Sequence, residues 1–170
     1  ADQYDFDVLS GGMMTGARVR PVSESMAYIQ DAYKVVEERT GVRFGDAYLN
    51  GLLKAGTYLS DSEKPGMAMT LFKATGAPHT LYYDGIDLNV DANYGPLVAR
   101  FGLDADKFVA HLSDPAVKKQ TWEEFNLVSG FGINGFPSVI VENGDQLFLV
   151  ARGYLPYDAL EANVRQALTA

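Results

Sequence analysis

The stretch Gly130-Phe131-Gly132-Ile133-Asn134-Gly135-Phe136-Pro137-Ser138-Val139-Ile140-Val141 decides the fold. Its glycine-rich first half is typical of a loop, and a proline is allowed at the first residue of a strand. Asn143-Gly144 follows, which is the strongest short signal for a β-hairpin. Residues 146–150 then predict the partner strand. A final helix carries Leu160, Val164 and Leu168 on one face.

The chain before this hairpin is predicted to be mostly helical. Residues 6–9 form a short apolar run ended by Gly11-Gly12, which predicts a strand. The first long helix is predicted to begin at Ser23, which is its N-cap, and to end at Gly41. Further helices are predicted at residues 44–53, from Pro65, after Asp91, from Leu103-Asp104, and from Asp114-Pro115, where proline follows a capping residue.

Composition narrows the classes of function. The chain has 170 residues, 47% of them hydrophobic, and a net charge of −8. The acidity and the scattered basic residues argue against a nucleic-acid partner. No apolar run approaches the ~20 residues of a membrane span. The start at Ala1 is too polar for a signal peptide, and without an initiator methionine it is expected to result from processing or omission.

Several segments carry a resemblance to one family. Residues 130–138 resemble the cis-proline loop of the DsbA family, usually of the form G-V-x-G-x-P. The runs at residues 9–14, 44–48, 82–88 and 102–104 are similar to the FrnE-like branch, predicted disulfide isomerases. This resemblance implies an α/β, thioredoxin-like fold with a helical insertion. Residues 1–20 and 131–170 would form a partial thioredoxin-like domain, and residues 21–130 the insertion and connecting helices.

The same resemblance implies a protein thiol–disulfide oxidoreductase or isomerase of bacterial origin. In that family a thiolate at a helix N-terminus attacks the substrate disulfide, because the helix dipole lowers its pKa. The implied substrate-binding residues are Phe136, Pro137 and Ser138. Met13 and Met14, as adaptable apolar side chains, are further candidates for lining the substrate groove. Pro137 would be cis, leaving the Phe136 backbone free to pair with an extended substrate. A trans proline, and core packing of the two methionines, remain open.

The implied partners are proteins or peptides that carry thiols or disulfides, without nucleic acid, membrane or cofactor. The expected location is the bacterial cytoplasm, with the periplasm left open.

The chain departs from the family at the centre of its chemistry. It contains no cysteine, so the C-x-x-C pair is absent and no catalytic residue can be named. We expect the family's first strand–helix unit, ~30 residues, to be missing from these residues. Its strand would lie between residues 6–9 and the strand that begins at Ser138, where two unpaired edges would otherwise face each other. The alternatives are a redox-inactive peptide-binding module and a glutathione-dependent isomerase or transferase.

Other candidate sites are weak. Asp87, Asn89 and Asp91 alternate as in a calcium loop, but Ala92 and Val98 replace the required Gly and Glu, so helix capping is favoured. His79 and His111 lie too far apart in sequence to predict a metal site. Glu123-Glu124 is expected to be a solvated pair, since adjacent residues do not share a helix face.

Overall fold

The chain folds into a helical part and a β-hairpin with a terminal helix. The computed structural model describes residues 4–73 and 84–170; the predictions at His79 and Tyr82-Tyr83 lie outside them. The elements in chain order are β1 (Arg20–Pro21), α1 (Met26–Thr40), the π-helical α2 (Ala47–Leu53), β2 (Leu59–Ser60), α3 (Glu63–Lys73), α4 (Tyr94–Ala99), α5 (Ala105–His111), α6 (Pro115–Gly130), β3 (Ser138–Asn143), β4 (Gln146–Arg152) and α7 (Tyr157–Leu168). Single 3₁₀ turns occupy Gly16–Arg18, Val22–Ser25 and Asp91–Asn93.

The predicted hairpin and terminal helix are confirmed. Strands β3 and β4 are antiparallel, and Asn143 pairs with Gln146, so the two turn residues are Gly144 and Asp145. A register shift beside Val139 places the consecutive residues Val150 and Ala151 both in the core. Helix α7 packs on the hairpin, and Asn163 Nδ2 donates to the Val150 carbonyl (2.8 Å), which satisfies a backbone acceptor at this irregularity.

Two apolar clusters stabilise the helical part. The larger one joins α3, α4 and α5 through Phe72, Tyr94 and Phe108. Tyr94 is almost fully buried, and this burial raises the pKa of its phenol far above the ordinary value, while its hydroxyl donates to the Leu88 carbonyl at 2.7 Å. The smaller cluster is formed by Val22, Tyr48 and Leu53. Tyr48 belongs to the predicted helix at residues 44–53 and is buried, as its position predicts.

Helix α6 connects the helical part to the hairpin. Asp114 caps it by accepting from the Ala116 amide (2.8 Å), and Pro115 occupies the first turn, as predicted. The helix packs on α3, where the buried hydroxyls of Thr70 and Thr121 lie 2.9 Å apart. Each hydroxyl also donates to a carbonyl of its own helix, at 3.2 Å in α3 and 2.9 Å in α6, so the pair is one polar contact between the two helices.

Three local predictions are wrong. Residues 6–9 are not a strand, since no described strand pairs with them and Phe6 is 87% exposed. Ser23 lies within a 3₁₀ turn and is not the N-cap of α1, which begins later with Ser25 at that position. The predicted end of this helix at Gly41 is confirmed, and Gly41 has a φ of 72°. Asn89 and Asp91 make no side-chain cap: Asn89 donates to the Leu59 carbonyl, and Asp91 pairs with Lys64. The pairing of β1 with β2 had no sequence signal.

A charged group that joins α3 to α6 leads to a prediction about pH. Glu63 accepts from Lys118 Nζ (2.7 Å) and from Trp122 Nε1 (2.9 Å). The hydrogen bond from Lys118 lowers the pKa of Glu63 below its ordinary value of 4.5, and the Trp122 bond acts in the same direction against the effect of burial. A carboxyl whose pKa is lower in the folded state stabilises the fold above its unfolded pKa, and this contribution is lost as the pH falls through the folded value.

The free energy of unfolding is therefore expected to depend less on pH below 4.5 in Glu63→Gln than in the wild type. The difference should be small because Glu63 is partly exposed. Urea titrations followed by the fluorescence of Trp122, the single tryptophan, measure it. Glu123→Gln is the matched control on α6, since Glu123 is exposed and, within the described residues, its one ion pair is with Lys119. Equal pH dependence in wild type and Glu63→Gln would contradict the assignment.

Candidate functional site

The loop before β3 is held to β4 by its backbone. The Phe136–Pro137 peptide bond is cis, as predicted. The Pro137 carbonyl accepts from the Gly153 amide at 2.7 Å, and Ser138 Oγ donates to the Gly135 carbonyl at 2.7 Å. Ser138 pairs with Arg152 across the hairpin. Two hydrogen bonds therefore fix the loop, one from Gly153 to the Pro137 carbonyl and one from Ser138 to the Gly135 carbonyl.

Phe136 projects from this loop against a segment more than a hundred residues earlier. A methyl group on Gly11 would overlap the Phe136 ring, so only glycine allows the observed approach. The ring is nevertheless 39% exposed, which leaves one side open to solvent. Gly12 has a φ of 59° and faces the buried ring of Phe125 in α6. Gly11 and Gly12 therefore lie against two phenylalanine rings, Gly11 against Phe136 and Gly12 against Phe125.

Hydrogen bonds anchor both ends of the segment Ser10–Met14. At one end the Ser10 amide donates to Glu124 Oε1 (2.9 Å), and Glu124 also pairs with Lys73. At the other end the Met14 amide donates to Ser62 Oγ (3.0 Å), and the Met14 carbonyl accepts from the Ser62 amide (2.7 Å). This segment is therefore held beside the Phe136 ring by Glu124 in α6 and by Ser62, the residue before α3.

Glu124 corrects a prediction. Its side chain is only 10% exposed, so Glu123-Glu124 is not a solvated pair. Glu123 does face solvent, where it pairs with Lys119. The sequence rule that adjacent helix residues point to different faces was right, but it gave no reason to place one of the two carboxylates inside. Glu124 is the residue that ties the segment Ser10–Met14 to α6.

The structure brings the two predicted parts of the site together through Gly11. Phe136, Pro137 and Ser138 form one side, and the segment with Met13 and Met14 lies against it. Met13 is about half exposed, whereas Met14 is partly buried. Sequence reasoning missed Glu124, Phe125 and also Arg18, whose Nη2 donates to the Gly12 carbonyl and to Thr15 Oγ1, each at 3.3 Å.

The site consists mainly of aromatic and apolar side chains on a fixed backbone. The sequence has no cysteine to act as a nucleophile. Within residues 4–73 and 84–170, no group of three or more His, Asp or Glu side chains is arranged to hold a metal ion. In the same ranges no helix has the length and apolar character needed to cross a bilayer. What the site does offer is an open aromatic face on a fixed loop that leads into a strand.

A family model described as "DSBA-like thioredoxin domain" matches residues 10–165, which include both parts of the site. The chain belongs to the DSBA-like thioredoxin domain family. Its DsbA-like thioredoxin fold, with helices between the first segment and the hairpin, is the fold that the resemblance implied. No curated protein matches significantly.

Solved structures share the DsbA-like fold. A candidate protein disulfide isomerase from Nitrosomonas europaea has 24% sequence identity and a TM-score of 0.73 over 86% of this chain and 74% of its own. The cytosolic disulfide reductase DsbM from Pseudomonas aeruginosa has 23% identity and a TM-score of 0.75 over 99% of this chain and 87% of its own. The structure of the same protein with GSH has 21% sequence identity and a TM-score of 0.72 over 99% of this chain and 87% of its own. At such identities the likeness shows the fold.

Proposed function

We propose that this chain binds extended polypeptides at the site formed by Phe136, Pro137, Ser138, Met13 and Met14, as the substrate-binding part of DsbA-type thiol–disulfide exchange. Its family acts on protein disulfides. The observation that carries the proposal is the contact of Phe136 with Gly11, which joins the two parts of the site and leaves the ring partly open. The 170 residues contain no thiol, so by themselves they are inactive in exchange.

The backbone of the site supports this mode of binding. The Phe136 backbone, directly before Pro137, can pair with an extended peptide through main-chain hydrogen bonds, while pockets for alternate side chains supply specificity. The Phe136 ring is partly exposed, so it can contact a side chain of the bound peptide. No described strand pairs with β3 along the edge away from β4, and that edge is where the strand of the missing unit is expected. The proposal therefore assigns affinity to the Phe136 backbone and selectivity to its ring.

Exchange itself requires a thiolate from outside these residues. A further strand–helix unit could cover four apolar side chains that are exposed here. They are Phe6 and Val8 near the start of the chain, and Leu147 and Leu149 in β4. This supports the prediction that such a unit, with C-x-x-C, completes the enzyme. The division into residues 1–20 with 131–170 and residues 21–130 is part of the same proposal.

Two assays on the same preparation test the function. Fluorescence anisotropy with a labelled nine-residue peptide whose central residue is serine, the isostere of cysteine, should show saturable binding. Turbidity from insulin reduction by dithiothreitol should be no faster with the chain than without it. Absence of peptide binding would overturn the proposal. Acceleration of insulin reduction would contradict the claim that exchange needs a thiol from elsewhere.

Thiol titration, intact mass and glutathione competition distinguish the alternatives. For a redox-inactive binding module, the protein isolated from its natural source would bind peptide and contain no titratable thiol. For the enzyme, intact mass and thiol titration would show two cysteines. The glutathione-dependent alternative has one supporting observation, the structure of DsbM with GSH. It predicts that millimolar glutathione displaces the peptide.

The proposed location is the bacterial cytoplasm. DsbM, a protein of the same fold, is described as cytosolic. Fractionation of cells into cytoplasm and periplasm, followed by immunodetection, tests this part of the proposal. Recovery in the periplasmic fraction would overturn it.

A further inference from the structure

We infer that the peptide site prefers peptides with acidic side chains on either side of the peptide residue that contacts Phe136, and that Arg18 and Arg152 bind those carboxylates. This inference rests on the proposed function and specifies its substrate class. It follows from where unpaired positive charge lies in a chain whose net charge is −8.

Most basic side chains in the described part of the chain are already neutralised. Nine of them make ion pairs with described carboxylates: Lys34, Arg43, Lys64, Lys73, Arg100, Lys107, Lys118, Lys119 and Arg165. Arg18, Arg20, Arg39, Lys54 and Arg152 make none with a described residue. Two of these unpaired side chains lie at the proposed site.

Arg18 is attached to the segment that meets Phe136. Its Nη2 donates to the Gly12 carbonyl and to Thr15 Oγ1, which orients the guanidinium, and its other N–H donors bond no residue within 4–73 and 84–170. The residue is exposed, so those donors face solvent. A guanidinium held in one orientation matches a carboxylate better than a mobile ammonium does.

Arg152 lies in β4, next to the Phe136–Ser138 loop. It is the last residue of β4, it pairs with Ser138, and the next residue, Gly153, donates to the Pro137 carbonyl. Directly opposite residues of an antiparallel pair stand on the same face of the hairpin. Arg152 is exposed, so its charge lies beside the Phe136–Ser138 loop.

Three carboxylates near the site make ion pairs, whereas Asp61, next to Ser62, accepts a hydrogen bond from the Glu63 amide. Glu124 and Asp7 both pair with Lys73. Glu63, close in sequence to Ser62, pairs with Lys118. The overall charge of the chain repels acidic peptides at long range, but salt screens that repulsion beyond about 8–10 Å. The preference for acidic over neutral peptides therefore depends on contacts of the peptide with Arg18 and Arg152.

The experiment compares three nine-residue peptides that differ only in the two residues flanking the central serine, which are Glu, Gln or Lys. The wild-type chain should bind the Glu peptide about five- to tenfold more tightly than the Gln peptide, and the Lys peptide most weakly. Arg18→Gln and Arg152→Gln should each reduce the Glu preference about threefold, and the double variant should abolish it. Arg39→Gln, which changes net charge equally on α1, should keep it.

Further arms separate charge reading from structural effects. Arg18→Lys retains the positive charge without the oriented guanidinium, so it should reduce the Glu preference less than Arg18→Gln does, whereas a purely structural role of Arg18 would make the two variants equal. Raising the salt concentration about tenfold should bring the Glu and Gln peptides to similar affinities. Equal binding of all three peptides by the wild type would overturn this inference while leaving the proposed function in place. Absence of binding to every peptide would overturn both.

Discussion

Phe125→Ala is expected to lower the free energy of unfolding by about 3–5 kcal/mol, as large-to-small changes at buried aromatic positions do. Phe125 is only 5% exposed. Its ring fills the space that Gly12 and Gly66 leave open, and it packs edge-on against Trp122. One side chain thus fills the space between α3, α6 and the Ser10–Met14 segment. Its removal leaves a cavity that two glycines cannot close.

Chemical denaturation followed by Trp122 fluorescence and circular dichroism measures the effect. Leu127→Ala is the matched control, because Leu127 lies in the same helix with half its surface exposed. It should change stability by about 0.5 kcal/mol or less. A loss below about 1 kcal/mol for Phe125→Ala would show that this ring does not support the site.

Gly11→Ala is expected to weaken peptide binding at least about tenfold, or 1.4 kcal/mol. Its backbone does not require glycine, since φ is positive at Gly12 and not at Gly11. The obstacle is the Phe136 ring, which the new methyl group would overlap. Because that ring is partly exposed, it can turn aside, and the loss of stability should stay within about 1–3 kcal/mol. Binding should suffer more than folding.

Anisotropy titrations and urea unfolding of the same variant separate the two effects. Gly51→Ala is the control, since a methyl group there meets no neighbouring atom and the residue lies within α2. Alanine also favours helix over glycine by roughly 1 kcal/mol. Unchanged peptide affinity in Gly11→Ala would show that the position of Phe136 is not what binds the peptide.

Much of the fold follows from local signals in the sequence. Asp114-Pro115 begins α6 because the side chain caps the helix and proline suits its first turn. Asn143-Gly144 marks the hairpin, although pairing of Asn143 with Gln146 moves the turn one residue on. Each of these signals acts within about four residues, so neither depends on distant parts of the chain.

The failures involve distant partners. Residues 6–9 have a strand-like pattern, but a strand also needs a neighbour, and the described chain supplies none. Glu124 looks solvated beside Glu123, yet the Ser10 amide and Lys73 draw it inward. The contact of Gly11 with Phe136 spans more than a hundred residues, and no spacing rule reports it.

Amide shifts locate the binding site directly, and a ¹⁵N-labelled chain titrated with the Glu-flanked peptide gives them residue by residue. The largest shifts are expected on Gly11, Gly12, Met13, Phe136 and Gly153. The first three belong to the Ser10–Met14 segment, Phe136 begins the Phe136–Ser138 loop, and Gly153 donates to the Pro137 carbonyl. Shifts confined to the other side of the hairpin, around Phe148 and Gln166, or shifts absent throughout, would contradict this location of the site.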